Sequence, residues 1–359
     1  MVDSTFLWSP VKIVIKTFKY MDKQIIFGQN KLLNHPEKVA EWLSGGDKTL
    51  ITVELDLTNR CNNKCPKCIG WSGGKTQDEL TIDEAKDYLK QIAALGAKGV
   101  VFTGGGDPLL HKGVVEVLEF AKGLGLHIGL ITNGLALSLY NAIAILTFCD
   151  WARISVDAGN AEIYKKTHGM DEKSWDKVVG NLHDLILQKR VSSSKCVVGL
   201  GYLTGVDTSS LSDMEDFAKL AVKLDVDYAQ FRPFHKDFTD IRDKFNILRE
   251  KYGNILTASW QKYSRFTDED KRPYDKCHGV NFATTIGANG DMFICCHMRG
   301  IDKYKLGSLR DDTMARLWKN RQVVFDNIDF NDCPIFCRCD EFNRLLYEIK
   351  KPKQNPEFL

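Results

Sequence analysis

Leu50-Ile51-Thr52-Val53-Glu54-Leu55-Asp56-Leu57-Thr58-Asn59-Arg60-Cys61-Asn62-Asn63-Lys64-Cys65-Pro66-Lys67-Cys68 is the stretch whose reading decides the fold. Its first half is a β-rich run, and its second half is a polar loop with cysteines spaced C-x3-C-x2-C. The cysteines therefore leave the C-terminal end of a strand, where parallel β/α barrels carry their sites. Three thiolates this close on one loop can hold three irons of a 4Fe–4S cube, thiolate being the ligand such clusters take. The fourth iron is then open, and an open position separates a reactive metal site from a structural one. The competing reading is a zinc site closed by a fourth ligand. No Cys or His follows Cys68 before His111.

Outward from this loop the chain alternates. Strands are expected at 50–57, 98–103, 126–132, 152–157, 196–203 and 227–232. Helical patterns lie near 81–95, 112–124, 136–147, 160–188 and 209–223, the first opening on a capping box, Thr81-Ile82-Asp83-Glu84. Such alternation argues for a parallel sheet covered by helices. Periodicity alone allows an open doubly wound sheet as well as a barrel.

Further motifs sit at the ends of these strands. Val100-Val101-Phe102-Thr103-Gly104-Gly105-Gly106-Asp107-Pro108 runs from a strand into a glycine loop, where the backbone can approach a ligand closely. Leu130-Ile131-Thr132-Asn133-Gly134 ends the third strand, Ala152-Arg153-Ile154-Ser155-Val156-Asp157-Ala158-Gly159 the fourth, and Gln230-Phe231-Arg232-Pro233 the sixth. Taken in order, the cysteine loop and these strand ends resemble the radical S-adenosylmethionine (radical SAM) family. The resemblance implies a partial (β/α)6 TIM-like barrel in which Cys61, Cys65 and Cys68 hold a 4Fe–4S cluster whose open iron chelates SAM. An electron from the cluster then cleaves SAM to methionine and a 5′-deoxyadenosyl radical. Gly104, Gly105, Gly106 and Asp107 match the family's Gly-Gly-Glu-Pro motif, with Asp in place of Glu, and would meet the SAM amino group. Asn133 matches another recurrent position. Ser155 would face the SAM ribose, with Asp157 left open, or one of the two could cap the helix starting near Asn160. Arg232 would meet the SAM carboxylate or a substrate through its guanidinium fork, or pair with a neighbouring acid. One departure stands out: the residue before the third cysteine, aromatic in the family, is Lys67 here.

The chain has 359 residues, 43% of them hydrophobic, enough for a sizeable core. A net charge of +2 gives no sign of a nucleic-acid partner. No apolar run reaches signal-peptide or membrane-span length, so a cytoplasmic protein is expected. Eleven cysteines there point to metal or redox chemistry rather than disulfides. The expected organisation is a lead-in at 1–48, a core barrel at 49–235, a helical connection at 236–276, a cysteine-rich unit at 277–345 and a tail at 346–359.

The cysteine-rich unit holds Cys277, Cys295, Cys296, Cys333, Cys337 and Cys339. Gly290 and Cys295, an upstream cysteine and a later pair resemble the small α+β SPASM/Twitch extensions of radical SAM enzymes. That implies a second, auxiliary 4Fe–4S cluster on Cys277, Cys295, Cys333 and Cys337, with Cys339 as the first substitute. A zinc site would use the same residues. Gly287-Ala288-Asn289-Gly290-Asp291 is a hairpin signal. Cys149 and Cys196 lie in apolar segments and read as core. His278 and His297 adjoin candidate ligands and read equally as supporting donors or packing.

An auxiliary cluster can take the second electron of an oxidation. The leading expectation is therefore an oxidoreductase acting on a small hydroxylated substrate of sugar or aminocyclitol type, served by a flavodoxin- or ferredoxin-type electron donor. A peptide-modifying maturase forming crosslinks or thioethers is the first alternative. The second is an epimerase with Cys296 or Cys339 as hydrogen donor, and the third a non-catalytic metal-binding protein. A base is unassigned among Arg153, Asp157, His168, Tyr202, Arg232, His235 and Lys236.

Overall fold

The computed structural model describes residues 29–71, 76–235, 237, 239–266, 272–334 and 337–355. The first 28 residues of the expected lead-in, Lys236 and the last four residues of the tail lie outside them. Six parallel strands lie side by side in chain order: β1 (Thr52–Asp56), β2 (Gly99–Thr103), β3 (His127–Thr132), β4 (Trp151–Ser155), β5 (Val197–Thr204) and β6 (Tyr228–Pro233). Each fell within a residue or two of its expected span. Alternation explains why: Val53, Leu55, Val100, Phe102, Ile128 and Leu130 point outward and are buried under the helices, while Glu54, Asp56, Arg153 and Gln230 lie between them on the opposite face.

Covering helices follow the strands at Ile82–Ala94, Val114–Gly123, Leu139–Phe148, Ala161–His168, Glu172–Ser192 and Leu211–Leu224. The capping box forms as expected: Glu84 N donates to Thr81 Oγ1 at 3.1 Å, and Thr81 N to Glu84 Oε2 at 2.8 Å. The pattern at 160–188 divides into two helices. Gly169 leaves the first in the left-handed region at φ 65°, and Asp171 caps the second by accepting from Ser174 N.

The sheet continues beyond the six strands. β7 (Leu256–Ala258) pairs parallel with β6. On the other edge β8 (Ala283–Ile286) pairs parallel with β1, followed antiparallel by β9 (Asp291–Phe293) and β10 (Lys305–Ser308). The order β10-β9-β8-β1-β2-β3-β4-β5-β6-β7 leaves an open, partial barrel with the C-terminal ribbon built onto its first edge. The expected hairpin joins β8 to β9, with Gly290 at φ 83°. At the rim, Trp42 of the helix Pro36–Leu43 packs with Phe282 and with Leu346 of the helix Asp340–Lys350.

Candidate active site

The cysteine loop is pinned from three sides. Asp107 N donates to Arg60 O at 2.9 Å, and Gly106 N to Thr58 O at 3.1 Å. A Cβ on Gly106 would overlap the Arg60 carbonyl, so only glycine lets the two loops approach this closely. From β4's side, Lys64 N donates to His168 O at 3.0 Å, and a Cβ on Gly169 would stand 2.7 Å from Lys64 O. The helix break is therefore the abutment of the cysteine loop, a role hidden in a sequence that reads as one long helix. From β3, Asn133 Nδ2 donates to Asn62 Oδ1 at 2.8 Å and reaches Cys61 Sγ at 3.7 Å. Asn133 Oδ1 is taken by Leu135 N.

Asp107 is a buried staple. Its carboxylate accepts from Thr132 Oγ1, from Asn133 N at 2.7 Å and from Leu109 N, and burial raises its pKa. The side chain thus ties the glycine loop to the end of β3, and the backbone of Gly104, Gly105 and Gly106 faces the cysteine loop. Asn160 caps its own helix by accepting from Ile163 N, which leaves Ser155 and Asp157 free of that duty. Asp157 takes φ 46°, donates its N–H to Gly201 O and is buried with Oδ1 lacking a hydrogen-bond partner among the described residues. His168 is a strut: Nε2 reaches Ser155 O at 3.0 Å, and the ring stacks on Tyr164. Tyr202 donates to Thr208 O and packs against Phe217 and Phe231, in the apolar layer outside the barrel. Lys67 pairs with Asp237 at 3.0 Å and lies over the Phe234 ring. Phe234, just past the end of β6, is thus the aromatic ring that meets the Lys67 side chain, a contact hidden in the sequence because the two lie far apart along the chain.

The C-terminal thiols gather as well. Cys277 and Cys337 both lie against Cys339, whose hydrogen bonds to them lower the pKa of each thiol. Cys295 is buried beside Cys277 and Cys337, and Cys333 faces the same two. Asn343 Nδ2 donates to Cys277 Sγ at 3.3 Å. Cys339 thus stands inside the group of candidate ligands, while Cys296 turns toward Arg338, Glu54 and Arg299. His278 packs on Trp42, and His297 meets His235. Cys149 and Cys196 are core residues. All eleven cysteines are free thiols. Among the described residues no three His, Cys, Asp or Glu side chains are set to hold a single metal ion.

A cavity of about 750 Å³ joins the two cysteine groups, with Cys61, Cys65 and Cys68 on one wall and Cys296 and Cys337 on another. Gly104, Gly106, Asp107, Asn133, Ser155 and Arg232 also border it. Between the walls runs a buried ion network. Arg299 pairs with Asp56 at 2.5 Å and with Glu54 at 3.4 Å, and Arg338 pairs with Glu54. It fastens the C-terminal unit to β1. The chain's own residues fit a cluster and a chelated ligand. The cysteine loop offers free thiols, Gly104 and Gly106 border the same cavity, and Asp157 offers an unpartnered buried oxygen.

Comparison with known proteins agrees with this layout. The family profile described as the radical SAM superfamily matches residues 55–221, and the iron–sulfur cluster-binding domain named SPASM matches residues 277–340. PqqA peptide cyclase of Bradyrhizobium diazoefficiens is 27% identical over 180 residues, covering 49% of this chain and 44% of that protein. Molybdenum cofactor biosynthesis protein 1 of Dictyostelium discoideum is 26% identical over 251 residues, covering 66% of this chain and 37% of that protein. This chain thus spans less than half the length of either curated relative. Streptococcus suis SuiB, solved with its precursor peptide SuiA, shares the fold at a TM-score of 0.60 and 12% identity, over 86% of this chain and 78% of that one. A radical SAM domain implies SAM and a 4Fe–4S cluster as cofactors, and a SPASM domain implies auxiliary iron–sulfur clusters. The chain belongs to the radical SAM superfamily and carries a C-terminal SPASM domain.

Proposed function

We propose that this chain is a radical SAM peptide-modifying enzyme, with the substrate held in the cavity between its two cysteine groups. The observation that carries the reading is that one cavity touches both groups. A substrate there can meet the radical on one side and an electron acceptor on the other. The peptide is favoured over the sugar or aminocyclitol of the sequence-based expectation by the likeness to a peptide cyclase, with the SuiB fold as background.

Cys61, Cys65 and Cys68 would hold the SAM-binding cluster. Cys277, Cys295, Cys333 and Cys337 would hold the auxiliary one, with Cys339 within reach of the same site. When bound, cluster and SAM together supply a carbon radical able to abstract hydrogen from an unactivated C–H bond. The protein's part is positional. Gly104–Gly106 present backbone to the ligand's amino group, Asp107 fixes that loop to β3, and Asn133 directs an N–H toward Cys61. Ser155 and Asp157 face the cavity from the end of β4. Burial in such a cavity keeps water and competing hydrogens away from the reacting carbon. A flavodoxin- or ferredoxin-type donor would supply the electron to the cluster that the cysteine loop holds. A cytoplasmic setting fits a chain in which no described helix is long and apolar enough to cross a membrane.

The test is anaerobic turnover of the reconstituted protein with SAM and dithionite. Peptides translated from reading frames flanking its own would be compared with a panel of sugars and aminocyclitols. Formation of 5′-deoxyadenosine with a peptide that loses two hydrogens supports the proposal. Turnover of a hydroxylated small molecule to a ketone, with every peptide untouched, rejects it.

A further inference from the structure

Two glycines on the inner face of β5 make room for unusual neighbours. Gly199 lies opposite Tyr228, and Gly201 opposite Gln230. A Cβ on Gly201 would stand 2.9 Å from Arg232 Nη2 and 3.6 Å from Arg153 Cδ. Arg232, from the end of β6, therefore lies back across β5 and comes beside Arg153 of β4. Lys262, on the short helix Trp260–Tyr263 after β7, joins them on the same cavity wall. Its charge is coupled to both arginines and, on the other side, to Cys296 and Cys337.

The acids nearby do not balance this wall. Glu54 is committed to Arg299 and Arg338. Asp157 is the carboxylate coupled to both Arg153 and Arg232. Among the described residues neither Arg232 nor Lys262 has an ion pair, and Arg232 Nε is buried without a hydrogen-bond partner. Lys262 is held down at about 8 and Arg153 at about 9, by burial first and then by the neighbouring cations. His235 is neutral near pH 7, its pKa being pushed down to about 4 chiefly by burial. Asp157, shared by the two arginines, and the half-buried Glu341 coupled to Lys262 set two carboxylates against three cations, and a guanidinium with an ammonium suits one carboxylate more.

We propose that Arg232 and Lys262, backed by Arg153, bind a carboxylate of the substrate, an acidic side chain or C-terminus of the peptide, on the cavity wall nearest Cys296 and Cys337. The inference rests on the peptide reading above and adds the group by which the peptide is recognised. It also sets the register: a peptide anchored there runs from the C-terminal thiols toward the cysteine loop.

Binding of three probes to the reconstituted holoenzyme with SAM tests it, by calorimetry. The probes are a capped hexapeptide of alanines with one central Glu, the same peptide with Gln, and glutarate. The Glu peptide should bind at least about tenfold more tightly than the Gln peptide, since a charge-assisted bond of this kind is worth roughly that factor. Lys262→Met and Arg232→Gln should each remove the preference, and Lys262→Arg should retain it. Equal binding of the two peptides overturns the carboxylate site while leaving a peptide substrate standing. Glutarate binding that depends on Lys262, with neither peptide bound, keeps the carboxylate site and ends the peptide reading. Binding of none of the three overturns the site. A loss of SAM affinity in Lys262→Met as large as the loss for the Glu peptide also overturns it, because the wall would then serve the SAM carboxylate.

Discussion

Replacing Arg299 by Met should weaken the joint between the barrel and the C-terminal unit in a pH-dependent way. Asp56 is fully buried on β1, and even with Arg299 at 2.5 Å its carboxyl is held up at about 6, chiefly by burial. Removing one partner of a buried pair costs about 3–5 kcal/mol, because the other charge stays behind without compensation. At about 2 °C per kcal/mol for a large domain, Tm falls by about 6–10 °C. The pH dependence follows from Asp56. Below about pH 4 its carboxyl is protonated in both folded and unfolded chains. From there to about 6 the folded chain keeps a proton that the unfolded chain has lost, so stability falls as pH rises through this window. Without Arg299 the folded pKa climbs further, and the decline continues toward neutral pH. The variant's deficit should therefore be larger at pH 8 than at pH 5.5, measured by anaerobic calorimetry on the full chain. Asp56→Asn added to Arg299→Met should recover much of the loss, since no charge is then stranded. A deficit below about 0.5 kcal/mol, within the range of ordinary surface changes, or one equal at both pH values, would refute this reasoning.

Three other outcomes are expected. A triple Ala variant at Cys61, Cys65 and Cys68 should lose about one 4Fe–4S cluster's worth of iron after anaerobic reconstitution and all 5′-deoxyadenosine formation, with the remaining iron held by the C-terminal thiols; iron and sulfide analysis reads this directly. Cys277→Ala should lose the second cluster's iron whereas Cys296→Ala keeps it, because Cys277 lies against Cys339 while the strongest charged neighbours of Cys296 are Arg338 and Glu54. Asn133→Ala removes an N–H directed at Cys61 Sγ, so the reduction potential of the cluster there should become more negative, as followed by redox titration with electron paramagnetic resonance.

The six barrel strands were legible as short, mostly apolar runs of five to eight residues between helical patterns, the composition that parallel strands buried on both faces carry. β7 and β8, of three and four residues, are too short to stand out as such runs. The break at Gly169 was visible only as a glycine within a helical pattern, where helices often tolerate one. Its reason lies in space, against Lys64. The cysteines announced themselves by spacing. Arg299, Phe234 and Lys262 did not, since each matters through partners far away in the chain. Nor did the sequence announce that Asp107 accepts from Thr132 Oγ1 and Asn133 N at the end of β3, besides Leu109 N in its own loop, and so ties the glycine loop to its neighbour.

The pairing of β8 with β1 also bears on how the chain is made. Residue Thr52 leaves the ribosome roughly 230 residues before its neighbour Ala283, which at ordinary synthesis rates is about 10–50 s. Through that interval the first edge of the barrel shows bare N–H and C=O groups, an invitation to pair with any other strand. A chain cut short before Ala283 never acquires its cover. Nascent copies crowded on one messenger would then be the species most prone to stick to one another, and slower translation should deepen the hazard.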